Sequence, residues 1–162
     1  MDFDRLTTVM RQLALEAGDK IMQIYGAEDF EVRSKSDASP VTEADEAADA
    51  LISAGLRAEF PDVTLVTEEQ AATHGQQAST FLIVDPLDGT KEFISRNGEF
   101  TVNIALIDHG RPVWGLVYAP VLDKLWYGGK EVGAWRVADG THKAIQTRPH
   151  EAGQVWRVVG SR

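Results

Sequence analysis

The sequence predicts an α+β fold in which helices pack on a largely antiparallel sheet, and two patterns lead there. Apolar residues recur at three- and four-residue steps as far as Leu56, then in short alternating runs separated by turn residues. They make up 43% of the 162 residues, with four Trp, three Tyr and six Phe, which suffices for one ordinary core and excludes intrinsic disorder.

Leu6, Val9, Met10, Leu13, Ala17, Ile21 and Ile24 define an amphipathic helix, with Asp4 as its cap and Gly26 as its stop. Residues 34–40 read as a loop. Ala44, Ala47, Ala48, Leu51, Ile52 and Leu56 give a second helix ending before Pro61, its alanines suited to close packing on another layer. Residues 64–67 form a short strand delivering Glu68 and Glu69, and residues 81–84 an apolar strand delivering Asp85. A short helix runs from Thr90 through Phe93. Residues 101–107 and 113–118 alternate as a hairpin joined through Asp108, His109 and Gly110, and residues 125–127, 134–137 and 143–146 continue as a meander with an Asp139-Gly140 turn. Val155, Trp156, Val158 and Val159 begin a further strand-like run, read as an edge strand or as a strand continuing into a longer parent chain.

Charge narrows the function. Against 25 Asp and Glu stand 16 Lys and Arg, a net charge of −9, and no basic cluster is present to bind a phosphate backbone, so large nucleic acids are not expected as partners. Cysteine is absent, which excludes disulfides, thiol catalysis and Cys-ligated zinc. The first fifteen residues mix charges with apolar side chains and resemble neither a signal peptide nor a membrane span, so a cytoplasmic protein is expected. Residues 28–69 carry 12 acids and 3 bases, so the whole net charge is local to them. Such a segment is either a solvated surface or a divalent-cation site.

Spacing favours the cation. Asp85 and Asp88 follow a buried strand, and a turn at Pro86-Leu87 would let both carboxylates and the Leu87 carbonyl face one ion. Gly89 permits the tight backbone. Thr90 opens a helix whose free N–H groups suit a phosphate oxygen, and its hydroxyl can align a water. Asp-Gly-Thr is also ordinary turn chemistry. Adjacent acids on a strand face opposite sides, so Glu68 is assigned inward as a ligand and Glu69 outward. Thr42 and Asp45 match a capping box, and Asp45 can in addition accept from the Thr90 hydroxyl, so that Thr90 takes a proton from water. The capping box does not account for Asp37. The four histidines lie at no metal-ligand spacing, and the tryptophans read as core and interface packing.

Together, Lys35-x-Asp37-x-Ser39-Pro40-Val41-Thr42-x-Ala44-Asp45, then Glu68-Glu69, then Asp85-Pro86-Leu87-Asp88-Gly89-Thr90-Lys91-Glu92-Phe93 resemble the lithium-sensitive, magnesium-dependent phosphatases of the inositol monophosphatase superfamily. Within it, Ser39-Pro40-Val41-Thr42, Leu87 in its motif, and Gly115-Leu116-Val117-Tyr118-Ala119-Pro120 are most similar to the bacterial 3′(2′),5′-bisphosphate nucleotidase branch. The resemblance implies Mg²⁺ held by Glu68, Asp85, the Leu87 carbonyl and Asp88, with Asp45, Thr90 and Glu68 catalytic. Substrate contacts would come from Glu68, Leu87, Asp88, Gly89 and Thr90. It further implies in-line attack of a metal-activated water on the 3′-phosphate of adenosine 3′,5′-bisphosphate, giving AMP and clearing a by-product of sulfate assimilation. Residues 1–162 would form the N-terminal, metal-binding part, with the family's C-terminal domain, its Trp-Asp ligand and much of the base pocket outside this chain. Weak turnover by the fragment, a homo-oligomer, and a peripheral position on the cytoplasmic face of the inner membrane are accompanying expectations. The alternatives are an inositol monophosphatase-type enzyme and a metal-binding or interaction module without turnover. A covalent aspartyl mechanism of the haloacid-dehalogenase type needs Asp-x-Asp and is rejected by Asp85-x-x-Asp88.

Overall fold

The computed structural model describes residues 2–34 and 40–158. Helix α1 (Phe3–Tyr25) buries Leu6, Met10, Leu13, Ala14, Ala17 and Ile21, the stripe that a 3.6-residue period produces. Its cap is Asp2, not the expected Asp4. The Asp2 carboxylate accepts from the N–H groups of Asp4 and Arg5, and Asp4 instead sits in the first turn, where a negative charge suits the helix dipole.

The expected loop at residues 34–40 is bounded by a small hairpin, in which β1 (Val32–Ser34) pairs antiparallel with β2 (Pro40–Thr42). Lys35, Asp37 and Ser39 of the motif lie outside the described residues. Thr42 then caps α2 (Glu43–Glu59), and the capping box with Asp45 is formed. Ala44, Ala48, Ile52 and Leu56 are buried, and α2 lies alongside α1 so closely that a methyl group at Gly55 would overlap Leu13.

Seven strands form the main sheet in chain order: β3 (Thr64–Thr67), β4 (Thr80–Asp88), β5 (Thr101–Asp108), β6 (Arg111–Ala119), β7 (Lys124–Gly129), β8 (Gly133–Ala138) and β9 (Thr141–Ala144). Only β3 and β4 are parallel. The turns explain the order: His109-Gly110 and Asp139-Gly140 both adopt positive φ at two successive residues, as a type I′ hairpin turn requires. Strand β9 starts two residues before the expected Lys143. The helix-facing side carries Leu82, Val84, Ile104, Leu106, Leu116 and Trp114, all buried. The Trp114 indole N–H donates to Thr7 Oγ1 at 2.9 Å, joining sheet to α1. Trp156, by contrast, is exposed and stacks on His150. Residues 155–158 form no strand, and Val159 lies outside the described residues.

A short helix, α3 (Thr90–Ile94), follows β4 and rests on a cluster of Tyr25, Phe30, Phe93 and Phe100, packed edge to face or tilted at 4.9–5.2 Å between ring centroids. Arg96 ties this cluster to the end of α1. Its guanidinium donates to the carbonyls of Tyr25, Ala27 and Glu28 and lies over the rings of Tyr25 and Phe30. The Tyr25 carbonyl is one that the helix end leaves without an intrahelical partner, and the other two lie just beyond the cap. Arg96 holds φ 57 to make those bonds. Arg96→Ala keeps the backbone strain and removes the bonds, so it is expected to lower stability by about 1–3 kcal/mol, read from the midpoint of urea unfolding.

Candidate active site

Strand parity would put Asp85 and Asp88 on opposite faces of a regular strand. A β-bulge reverses this. Asp85 pairs with Asn103 and Asp88 with Thr101, so Pro86 and Leu87 together oppose Val102 alone. Asn103 and Thr101 share a face, and Asp85 and Asp88 therefore share it too. The Pro86-Leu87 turn expected from sequence is this bulge, and the buried Leu87 side chain anchors it.

Glu68 arrives from the neighbouring strand. Its N–H donates to the Val84 carbonyl at 3.0 Å, carrying the parallel ladder one step beyond Thr67, and the alternation that faces Leu65 and Thr67 inward sends Glu68 to the face of Asp85. Burial, the Glu68 charge and the Asp88 charge push the Asp85 carboxyl up to about 8.

Among the described residues, no group of three or more His, Asp or Glu side chains is drawn together into a finished metal cage. Carboxylates sharing one face repel each other until a cation offsets their charge. The donor set nevertheless fits a hard divalent cation. Carboxylate and carbonyl oxygens are the ligands such ions take, and Asp85 Oδ1 is buried with no hydrogen-bond partner among the described residues.

The proton on Asp85 makes the stability of the fold depend on pH. The carboxyl's folded-state value, about 8, lies above the ordinary carboxylate value of 3.8 kept by the unfolded chain, so between these limits the folded state binds more protons and stability falls as pH rises. Thermal midpoints measured from pH 5 to 8 without divalent cations should fall less steeply in Asp85→Asn than in the parent chain.

Asp45 lies on the other side of the bulge and is 1% exposed. Its Oδ2 accepts from the Thr42 N–H at 2.7 Å and the Thr42 hydroxyl at 2.6 Å, and its Oδ1 accepts from the Thr90 hydroxyl at 3.0 Å. The cap and the hydrogen bond to Thr90 expected from sequence thus occupy the two oxygens of one carboxylate. Burial raises the Asp45 carboxyl above the ordinary range, and the bonds from Thr42 and Thr90 work against that. Thr90 Oγ1 also stands 3.4 Å from the Leu87 carbonyl. Its single proton goes to the nearer Asp45, which leaves the Leu87 oxygen available to a cation.

Gly89 adopts φ 101 and turns the chain from β4 into α3, with a bond from the Phe93 N–H to the Gly89 carbonyl at 2.9 Å. Asn103 was not singled out by sequence. Its amide donates to Asp88 Oδ2 at 3.1 Å and its Oδ1 accepts from the Thr101 hydroxyl at 3.1 Å. The available signal was a lone amide amid the apolar residues of β5.

The sequence profile of the inositol monophosphatase family matches residues 2–158. A 3′(2′),5′-bisphosphate nucleotidase CysQ of Escherichia coli (strain K12) is 53% identical over 143 residues, covering 85% of this chain and 56% of that protein. The crystal structure of CysQ from Bacteroides thetaiotaomicron, a bacterial member of the inositol monophosphatase family, aligns with TM-score 0.65 at 40% identity, covering 82% of this chain and 49% of that one. The Thermotoga maritima IMPase TM1415 aligns with TM-score 0.71 at 30% identity, covering 82% and 51%. The chain therefore spans about half the length of the relatives it matches.

Proposed function

The chain belongs to the inositol monophosphatase family, and from that premise we propose that it supplies the cation- and phosphate-binding side of a phosphomonoesterase that converts adenosine 3′,5′-bisphosphate to AMP. The observation that carries this reading is the Thr90 to Asp45 hydrogen bond, 3.0 Å long and spanning 45 positions, beside a bulge that sets Asp85 and Asp88 on one face. A capping box needs Asp45 only as a partner for Thr42. It does not need the second bond to a hydroxyl at the start of another helix.

In this reading Glu68, Asp85, the Leu87 carbonyl and Asp88 hold a divalent cation, taken to be Mg²⁺. When bound, the cation neutralises phosphate charge and lowers the pKa of an attacking water. Asp45 keeps the Thr90 proton directed at itself, so the Thr90 oxygen presents a lone pair outward. That lone pair can accept from a water lying in line with the leaving 3′-oxygen, and as the water's proton passes to Thr90 Oγ1 the Thr90 proton would pass to Asp45 Oδ1. Gly89 and Thr90 bring backbone N–H groups to the phosphate oxygens, with Glu68, Leu87 and Asp88 lining the same side. Among the described residues no helix is long and apolar enough to cross a membrane.

The likeness to an inositol monophosphatase supports a second reading with the same centre and a sugar-alcohol phosphate as substrate. The test compares this chain alone with a hybrid in which the uncovered length is taken from the Escherichia coli relative. Phosphate release is measured from adenosine 3′,5′-bisphosphate and from inositol 1-phosphate, with Mg²⁺, with Li⁺ added, and after chelation. The hybrid is expected to prefer the bisphosphate, to lose activity on chelation and to be inhibited by Li⁺. Full activity without cations would remove the metal reading, and preference for inositol phosphate would select the second substrate.

A further inference from the structure

Helix α2 carries Asp45, Asp49, Ser53 and Arg57 at four-residue intervals, which stacks them on one face. Asp45 holds Thr90, as described. The remaining three hold Gln70. The Gln70 amide donates from Nε2 to Asp49 Oδ2 at 2.6 Å and to Ser53 Oγ at 3.1 Å, and its Oε1 accepts from Arg57 Nη2 at 2.7 Å. Asp49 is 4% exposed and Ser53 1% exposed. A buried carboxylate depends strongly on such donors, because leaving it without them exposes its full desolvation cost.

The main chain around Gln70 is fixed as well. Its N–H donates to Thr67 Oγ1 at 3.1 Å, and its carbonyl accepts from the Thr73 hydroxyl at 2.7 Å. Thr73 Oγ1 in turn accepts the Thr67 N–H at 3.0 Å. Glu68 lies inside this loop, two residues before Gln70 and one after Thr67, with its own N–H on the Val84 carbonyl. One helix face therefore sets both Thr90, through Asp45, and the loop of Glu68, through Gln70.

We propose that Gln70 is a positioning residue, whose side chain seated on Asp49, Ser53 and Arg57 fixes where Glu68 stands relative to Asp85. The consequence for cation binding rests on the reading of Glu68 as a ligand given above. The clamp itself does not.

The experiment uses the 162-residue chain and Mn²⁺ as the probe, with binding followed by electron paramagnetic resonance and amide hydrogen exchange measured without metal. Gln70→Ala is expected to weaken Mn²⁺ affinity about tenfold, as loss of a group that supports a ligand does. Exchange at the Glu68 amide should rise about tenfold more than exchange at Leu82 in the core of β4. Gln70→Glu sets a carboxylate against Asp49 and should lose more affinity than Gln70→Ala. The pair Asp49→Asn with Gln70→Glu restores a donor facing an acceptor in the reverse sense and should recover affinity to within about threefold. Thr7→Val, which removes the acceptor of the Trp114 N–H on α1, serves as a control for general destabilisation and should leave Mn²⁺ affinity unchanged. Unchanged Glu68 exchange in Gln70→Ala overturns the clamp. Weakened Mn²⁺ binding in Thr7→Val of the same size overturns the positioning role. If the parent chain held no Mn²⁺ at all, the ligand reading of Glu68 would fall, and the exchange measurement would still decide the clamp.

Discussion

Thr90→Val in the hybrid enzyme should reduce phosphate release from adenosine 3′,5′-bisphosphate by about 10²–10⁴-fold, the range for removing a positioned acid–base group, with Mn²⁺ affinity changed by less than about threefold. Valine fills nearly the same volume, so packing on α3 survives. The hydroxyl is what disappears, and with it the donor to Asp45 Oδ1, 3.0 Å away. Thr90→Ser keeps the hydroxyl and should retain most turnover. Asp45→Asn attacks the same unit from the other side. Its amide would bring N–H groups against the Thr42 N–H or the Thr90 hydroxyl, whichever way it turned, because Asp45 accepts on both oxygens. Some helix stability should be lost along with turnover, since the cap is broken. The double variant should be little worse than the worse single one, because groups acting as a unit are not additive. A Thr90→Val enzyme within twofold of the parent would remove Thr90 from the chemistry.

The acids of the candidate site were legible because Asp85 and Asp88 stand three residues apart behind one apolar run and Glu68 stands behind another, the residue types a hard cation would take. Thr90 follows the same run as Asp85 and Asp88, and the Thr42-Asp45 box announces the start of α2. Two features of the same site were not legible, for different reasons. A turn at Pro86-Leu87 was expected, but its form as a bulge depends on the register of β4 against β5, and these strands are joined through α3 rather than by a tight turn that would fix it. Gln70 and its seat on α2 depend on a contact between elements 13 to 21 positions apart, and a glutamine near two glutamates carries no signature of its own. The missed β1–β2 hairpin shows a third cause. Val32, Arg33 and Ser34 are all exposed, so that strand has no inner face to impose an alternation. The shift of the α1 cap from Asp4 to Asp2 is smaller still: both acids precede the apolar stripe, and the choice turns on a two-residue difference in where the helix starts.

Gly89→Ala should separate the fold's contribution to the site from the ligands' own. At φ 101 an L side chain is strained wherever it is placed, and a Cβ there would stand 2.9 Å from the Glu99 carbonyl oxygen and 3.2 Å from Phe100 Cα. Both neighbours are main chain, so they cannot swing aside as the end of a long side chain would. Strain and overlap together should lower stability by about 3 kcal/mol, measured by urea unfolding. A domain of ordinary stability, about 5–15 kcal/mol, remains folded after that loss. The relief must come from shifting the turn between β4 and α3, and this turn carries Asp88 on one side and Thr90 on the other. Mn²⁺ affinity and hybrid turnover should therefore fall together, although every proposed ligand and catalytic side chain is still present. Thr90→Val, by contrast, should lower turnover alone. Equal stability and unchanged Mn²⁺ affinity in Gly89→Ala would show that the turn tolerates a side chain and that its left-handed conformation does not set the spacing of Asp88 and Thr90.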